Sequence, residues 1–265
     1  MSTDALHDVG AIRIDRAGRE VRRDCVAEET PVAMVYNGRS LAVMMATPAD
    51  LKDFALGFSL SEGVVASPGE WDLHDIHHGG DGIEIRMRIP DVRFQALDAR
   101  QRNLPGRAGC GLCGADALAT AIRPVRRVPP ATPVTVAALR EAFAALRKGQ
   151  VLNDRCHGLH AAGFAHAEGM IVREDVGRHN ALDKVIGARA RAGVDAGFLL
   201  ITSRASYEVV HKAAEAGITV LAAISAPTAL AIRLAEQAGL TLIAFAREEG
   251  LSVYAHAAGL EVGSE

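Results

Sequence analysis

Aromatic side chains make up only 4% of this 265-residue chain, with one Trp, three Tyr and seven Phe. A core must therefore be built from Ala, Val, Leu and Ile. The 49% of hydrophobic residues gives ample material for one large domain or two smaller ones. Charge of neither sign dominates. Twenty-nine Lys and Arg stand against thirty-two Asp and Glu, and the net charge of -3 lacks the field expected of a non-specific nucleic-acid binder. Long apolar runs are missing as well, and stretches such as 197–202 fall far short of the roughly 20 residues that cross a bilayer. The first fifteen residues contain no apolar segment of the secretory kind. Four cysteines at irregular spacing are too few for a disulfide scaffold in a chain this long, so a reducing cytoplasm is the expected compartment, with no membrane or nucleic-acid partner.

What is present is concentrated in one place. Gly109-Cys110-Gly111-Leu112-Cys113-Gly114 sets two of the four cysteines two residues apart in a Gly-rich loop, ahead of the helix-forming stretch 115–121. A thiolate at a helix start is favoured by the partial positive charge there, so its pKa falls and its nucleophilicity at neutral pH rises. The spacing permits dithiol exchange, half of a zinc site, or a persulfide-forming sulfur carrier. Gly109 precedes the pair where a thioredoxin-type motif has an aromatic residue. A deaminase-type zinc site would have Pro before the first Cys and a His-x-Glu upstream, and neither is present.

The rest of the chain reads as alternating elements. Strands are predicted at 12–21 and on both sides of Asn37-Gly38, a hairpin turn signal. A helix should follow from Thr47 as N-cap and Pro48 at N1, and end at Gly63. The stretch 83–89 alternates apolar and polar residues as a half-wet strand does. Pro124, Pro129, Pro130 and Pro133 interrupt regular structure and mark a boundary, dividing the chain into a strand-rich domain 1–130 and an α/β domain 131–265. Within the second, a helix at 136–148 capped by Thr135 precedes a strand pair. Strand–helix units then run to 246, predicting a mostly parallel, three-layer sheet.

Ligands in such sheets bind beyond the carboxyl ends of the strands. The loops there contain Ser203 and Arg204, then Ser225 and Thr228, then Phe245, Ala246, Arg247, Glu248, Glu249 and Gly250. Hydroxyls, free backbone N–H groups and guanidinium forks suit an anion. The densest polar run, 173–184, adds Arg178 and His179 as ligand-facing candidates. His179 and Asp183 should share a helix face. Cys25, in a strand pattern, reads as an inert small hydrophobe.

Taken in order, four stretches are similar to one family: Val26-Ala27-Glu28-Glu29-Thr30-Pro31 with Val35-Tyr36-Asn37-Gly38; the run 47–58 with Ser61-Glu62-Gly63; Cys110-Gly111-Leu112-Cys113-Gly114; and Glu174-Asp175-Val176-Gly177-Arg178-His179-Asn180-Ala181-Leu182-Asp183-Lys184. The chain resembles the formate dehydrogenase accessory sulfurtransferase family, FdhD. The resemblance implies a cytidine-deaminase-like C-terminal domain without the deaminase zinc, and a homodimer. It also implies a carrier that takes sulfane sulfur from a cysteine desulfurase as a cysteine persulfide and passes it to the molybdenum cofactor, bis(molybdopterin guanine dinucleotide), for formate dehydrogenase. Carried over by position, Cys110 would hold the persulfide and Cys113 assist, while 245–250 would meet the guanine dinucleotide, a site a guanine nucleotide would also fit. The competing expectation is a zinc-stabilised nucleotide-binding module that uses Cys110, Cys113, Cys156 and a His as ligands.

Overall fold

The structure, a computed structural model, describes residues 4–102, 122–247 and 250–262. Two antiparallel strands, β1 (Leu6–Asp15) and β2 (Gly18–Ala27), form a hairpin with no further strand partner among the described residues. The single strand expected over 12–21 is thus the turn of that hairpin and its flanks.

β3 (Thr30–Tyr36) and β4 (Arg39–Ala46) pair through the Asn37-Gly38 turn, where both residues have positive φ (48° and 84°), as this turn type requires. Helix α1 (Leu51–Ser61) then crosses over, and β5 (Asp72–His78) and β6 (Ile83–Arg88) complete a four-stranded sheet of order β4-β3-β6-β5. Phe54, Ala55 and Phe58 of α1 pack on Val32, Met34, Ile83 and Ile85. A further helix, α2 (Asp91–Arg102), follows.

The C-terminal part begins with β7 (Val134–Thr135) and α3 (Val136–Lys148), whose first turn is capped by the Thr135 hydroxyl accepting from the Ala138 amide at 3.0 Å. A short helix, α4 (Asn153–Cys156), leads into the strand pair β8 (His160–His166) and β9 (Gly169–Asp175). Then come α5 (Arg178–Ala192), β10 (Phe198–Ile201), α6 (Tyr207–Glu215), β11 (Val220–Ala223), α7 (Ala229–Ala238), β12 (Thr241–Arg247) and β13 (Gly250–Ala255). The sheet order is β13-β12-β11-β10-β8-β9. Helices α5, α6 and α7 cover one face and α3 the other, which makes three layers. Every residue of β10 and β11 is buried, as expected of strands covered on both sides.

Two expectations are corrected. The sheet is mixed: β10, β11 and β12 run parallel, but β8, β9 and β13 pair antiparallel. Helical crossovers join β10, β11 and β12 as direct neighbours, whereas α5 carries the chain from β9 past β8 to β10, and the short β8–β9 and β12–β13 connections allow only antiparallel return. The N-cap of α1 is Asp50, in the left-handed region at φ 54°, and not Thr47. Thr47 is fully buried and committed elsewhere: its hydroxyl accepts from the Val176 amide and its carbonyl from the Lys184 ammonium.

Helices α1 and α5 cross at backbone distance. A Cβ on Gly57 would fall inside the Asp183 carbonyl and 2.7 Å from the Gly187 amide nitrogen; one on Gly187 would fall inside the Asp53 carbonyl. Only two glycines at the crossing allow this approach. The carboxylate of Asp53 receives Arg173 and Arg191 at the same junction. The first sheet is thereby fastened to the second, and the start of α5 is fixed in place.

Candidate functional site

The run 174–184 divides into a buried lock and an open edge. Asp175 and Lys184 have fully buried side chains 2.7 Å apart. Asp175 also accepts from the Thr47 and Gly177 amides and from the Asn180 amide group, which donates in turn to the Met45 carbonyl. Glu174 accepts from the Leu152 and Asn153 amides at 2.8 Å each. These groups tie β9 and α5 to the β4–α1 connection. Burial without partners would cost several kcal/mol per charge, and each charge here is met.

A second buried cluster lies one turn along. The Lys212 ammonium of α6 contacts Asp183 (3.0 Å), Glu62 (2.8 Å) and the Ser61 hydroxyl, which donates to Asp183 at 2.6 Å. Arg123 adds a pair to Glu62 at 3.0 Å. Burial pushes the Glu62 carboxyl up, but the Lys212 and Arg123 charges outweigh it and hold the group at about 2. Burial raises Asp183 to about 6 against the opposing pull of Lys212.

Arg178 and His179 begin α5 at the open edge. His179 and Asp183 do share a face, which looks onto α6. His179 Nδ1 lies 3.2 Å from a Glu208 carboxylate oxygen, with both side chains about one-fifth exposed. Burial pushes His179 down to about 3, helped by the Arg178 and Lys212 charges, and burial pushes Glu208 up to about 7. His160, at the start of β8, is also lowered by burial and by Arg178.

The strand-end loops sit along the same edge. Ser203 is buried and Arg204 exposed after β10. The Ala205 and Thr228 amides stitch this loop to the one after β11, donating to the Ala226 and Ala205 carbonyls. At the end of β12 the ladder with β13 is irregular, and Phe245 takes φ 49° there. A Phe in the left-handed region is strained by roughly 1–2 kcal/mol. The residue is 41% exposed and its ring centroid lies 6.5 Å from that of Tyr254. Ala246 is buried, Arg247 is exposed and donates to the Ile224 carbonyl, and Gly250 opens β13 at the surface. Cys110, Cys113, Glu248 and Glu249 lie outside the described residues. The chain re-enters them at Ile122, and the next amide, of Arg123, donates to the Tyr207 hydroxyl at the first turn of α6.

Sequence reasoning missed Glu208 and Lys212, and gave Glu62 and Ser206 no individual role. A faint signal existed: Ser206-x-Glu208 at a predicted helix start, and Lys212 interrupting the apolar face of Val209, Val210, Ala213 and Ala214. Their convergence with His179 and Asp183 depends on how α6 lies beside α5.

Comparison with known proteins agrees with this architecture. Residues 27–261 match the FdhD/NarQ family. The sulfur carrier protein FdhD of Xanthomonas campestris pv. campestris (strain B100) is 53% identical over 264 residues, covering 96% of this chain and 92% of the relative. The protein of the same name from Bordetella petrii is 48% identical over 243 residues, covering 90% and 87%. The crystal structure of a chain described as a formate dehydrogenase accessory protein from Desulfotalea psychrophila superposes with a TM-score of 0.74 at 23% identity. That match covers 97% of this chain and 100% of the other, and shares the fold. With the motifs, the fold and these relatives in agreement, the chain belongs to the FdhD/NarQ family.

Proposed function

We propose that this chain is a sulfur carrier serving formate dehydrogenase. Its relatives bear the name sulfur carrier protein. In this reading the Cys110 thiolate attacks the sulfane sulfur of a cysteine desulfurase persulfide. A new S–S bond forms on Cys110, the donor's S–S bond breaks, and the donor cysteine leaves as thiolate. Cys113 assists. The sulfur is then handed to the molybdenum cofactor, bis(molybdopterin guanine dinucleotide), which is cargo here, before its delivery to the formate dehydrogenase apoprotein. The carrier works as a homodimer in the cytoplasm.

The observation that carries the cargo half is Phe245. A strained, part-exposed Phe at the carboxyl end of a central sheet, flanked by the exposed Arg247 and with Arg204 on the strand-end loop two strands along, suits a purine base and its phosphates. Ser203, Ala246 and Gly250 belong to the same loops. Connectivity supports the carrier half. Eight residues lie between Cys113 and Ile122 and eleven between Cys110 and Ile122, which limits the two cysteines to spans of about 30 Å and about 40 Å from that point of the chain.

The test is mass spectrometry after incubation with a cysteine desulfurase and cysteine. One added sulfur atom is expected on the Cys110 peptide, absent in Cys110→Ala, with guanosine diphosphate binding unchanged in that variant. Full formate dehydrogenase activity in cells holding only Cys110→Ala would overturn the assignment.

A further inference from the structure

Three buried polar atoms gather where α5 and α6 begin: Arg178 Nε, His179 Nε2 and the Ser206 hydroxyl. None has a hydrogen-bond partner among the described residues. Burying such groups unpaired costs about 1–3 kcal/mol each, so the three are a ready set of polar contacts for a ligand. Glu208 fills the remaining side of the cluster through the His179 Nδ1 contact. The helix starts point the same way. Thr135 and Thr228 cap α3 and α7 with their hydroxyls, whereas Gly177 and Ser206 leave α5 and α6 without a side-chain cap. Two sets of free backbone N–H groups therefore open beside three unpaired side-chain atoms.

We propose that Arg178, His179 and Ser206 form a site for a tetrahedral dianion of the phosphate type, and that Glu208 makes its occupancy proton-dependent by selecting the tautomer of His179. This inference rests on the nucleotide-binding reading above and adds to it a phosphate subsite and a pH response. When Glu208 is protonated, its O–H donates to Nδ1, the imidazole proton sits on Nε2, and Nε2–H is a donor to the anion. When Glu208 is ionised, Nδ1–H donates to it, Nε2 carries a lone pair, and the site has one more negative charge. Anion binding is thus favoured in the protonated state and lost as pH rises through the Glu208 value of about 7. The other charged groups facing this pair are Arg178 and Asp183 on α5, Lys212 on α6, Glu62 after α1, and His160 on β8. Glu62 and Lys212 keep their charges across the neutral range, while Asp183, at about 6, titrates close to Glu208, so a Glu208 variant is needed to separate the two.

Inorganic sulfate is the right probe, because it stays a dianion from pH 6 to 9. Calorimetry on the full chain should show sulfate affinity falling by up to about tenfold per pH unit above pH 7, the limit for one linked proton. Glu208→Gln, which keeps the shape but has no proton to titrate, should bind sulfate with almost no pH slope. Arg178→Ala and His179→Ala should each weaken binding by at least about tenfold. In ¹⁵N-histidine spectra, the Nε2 signal removed by His179→Asn should move from protonated to lone-pair character between pH 6 and 8 in the wild-type chain, and show no such change in Glu208→Gln. A wild-type slope retained in Glu208→Gln, or sulfate affinity unchanged by both Arg178→Ala and His179→Ala, would overturn the proposal. Guanosine diphosphate separates the two readings. If it fails to displace sulfate that binds with the expected slope, the anion site stands and the nucleotide reading falls.

Discussion

Placing one methyl group at the α1–α5 crossing should loosen the whole molecule. Gly57→Ala removes a poor helix former and should by itself stabilise an exposed helix by about 1 kcal/mol. At this position the new Cβ would occupy the space of the Asp183 carbonyl and press on the Gly187 amide. Both are helix backbone, which cannot rotate away as a side-chain end can. Overpacking in a well-packed core costs about 1–3 kcal/mol. Parting the helices also strains the Asp183–Lys212–Glu62 cluster, where losing one partner costs about 3–5 kcal/mol, so partial loss adds on the order of 1–2 kcal/mol. Net destabilisation of about 1–4 kcal/mol is expected, read from the midpoint of urea unfolding at constant slope. Gly10→Ala, with nothing within 4 Å of its Cβ, is the control and should shift stability by less than about 0.5 kcal/mol. A neutral or stabilising Gly57→Ala would show that the crossing relaxes freely and that it does not fix the start of α5.

Other consequences are equally open to measurement. Glu62 sits at about 2 in the folded chain, below its usual value near 4.5, so its stabilisation is present above about pH 4.5 and fades as pH falls toward 2; Glu62→Gln should flatten that limb of the stability–pH curve and lower stability at neutral pH. Lys184→Met leaves the Asp175 carboxylate buried without its cation and should cost about 3–5 kcal/mol by urea denaturation, with little recovered by salt. Phe245→Gly should relieve the left-handed strain and raise stability by up to about 1 kcal/mol while weakening guanosine diphosphate binding several-fold; tighter binding would refute a stacking role.

Much of the scaffold was legible along the chain because its signals are local. Asn37-Gly38 announces a type of turn that few residues can make, Thr135 caps the helix it precedes, and the all-apolar β10 reads as a strand covered on both faces. Thr47-Pro48 misled for the same reason. It carries a helix-start signature, but the Thr47 side chain and backbone are held by Val176, Asp175 and Lys184, about 130 residues away. The mixed sheet was not legible because strand direction depends on which neighbours pair, and periodicity carries no information about pairing.

The division is sharpest at the polar run 174–184. The sequence by itself singled out this run, the Cys110–Cys113 pair and the strand-end loops as candidates for the chemistry, since unusual residue types at close spacing need no fold to be noticed. Only the tertiary structure decided which of those groups serve the fold and which keep polar atoms without a partner among the described residues. Asp175, Asn180, Asp183 and Lys184 are consumed by partners on distant elements, and Arg178 and His179 keep free atoms beside Glu208 and Ser206. The physical reason is that a buried charge is defined by its surroundings, and those are assembled across α1, α5 and α6 by two glycines that let the helices touch.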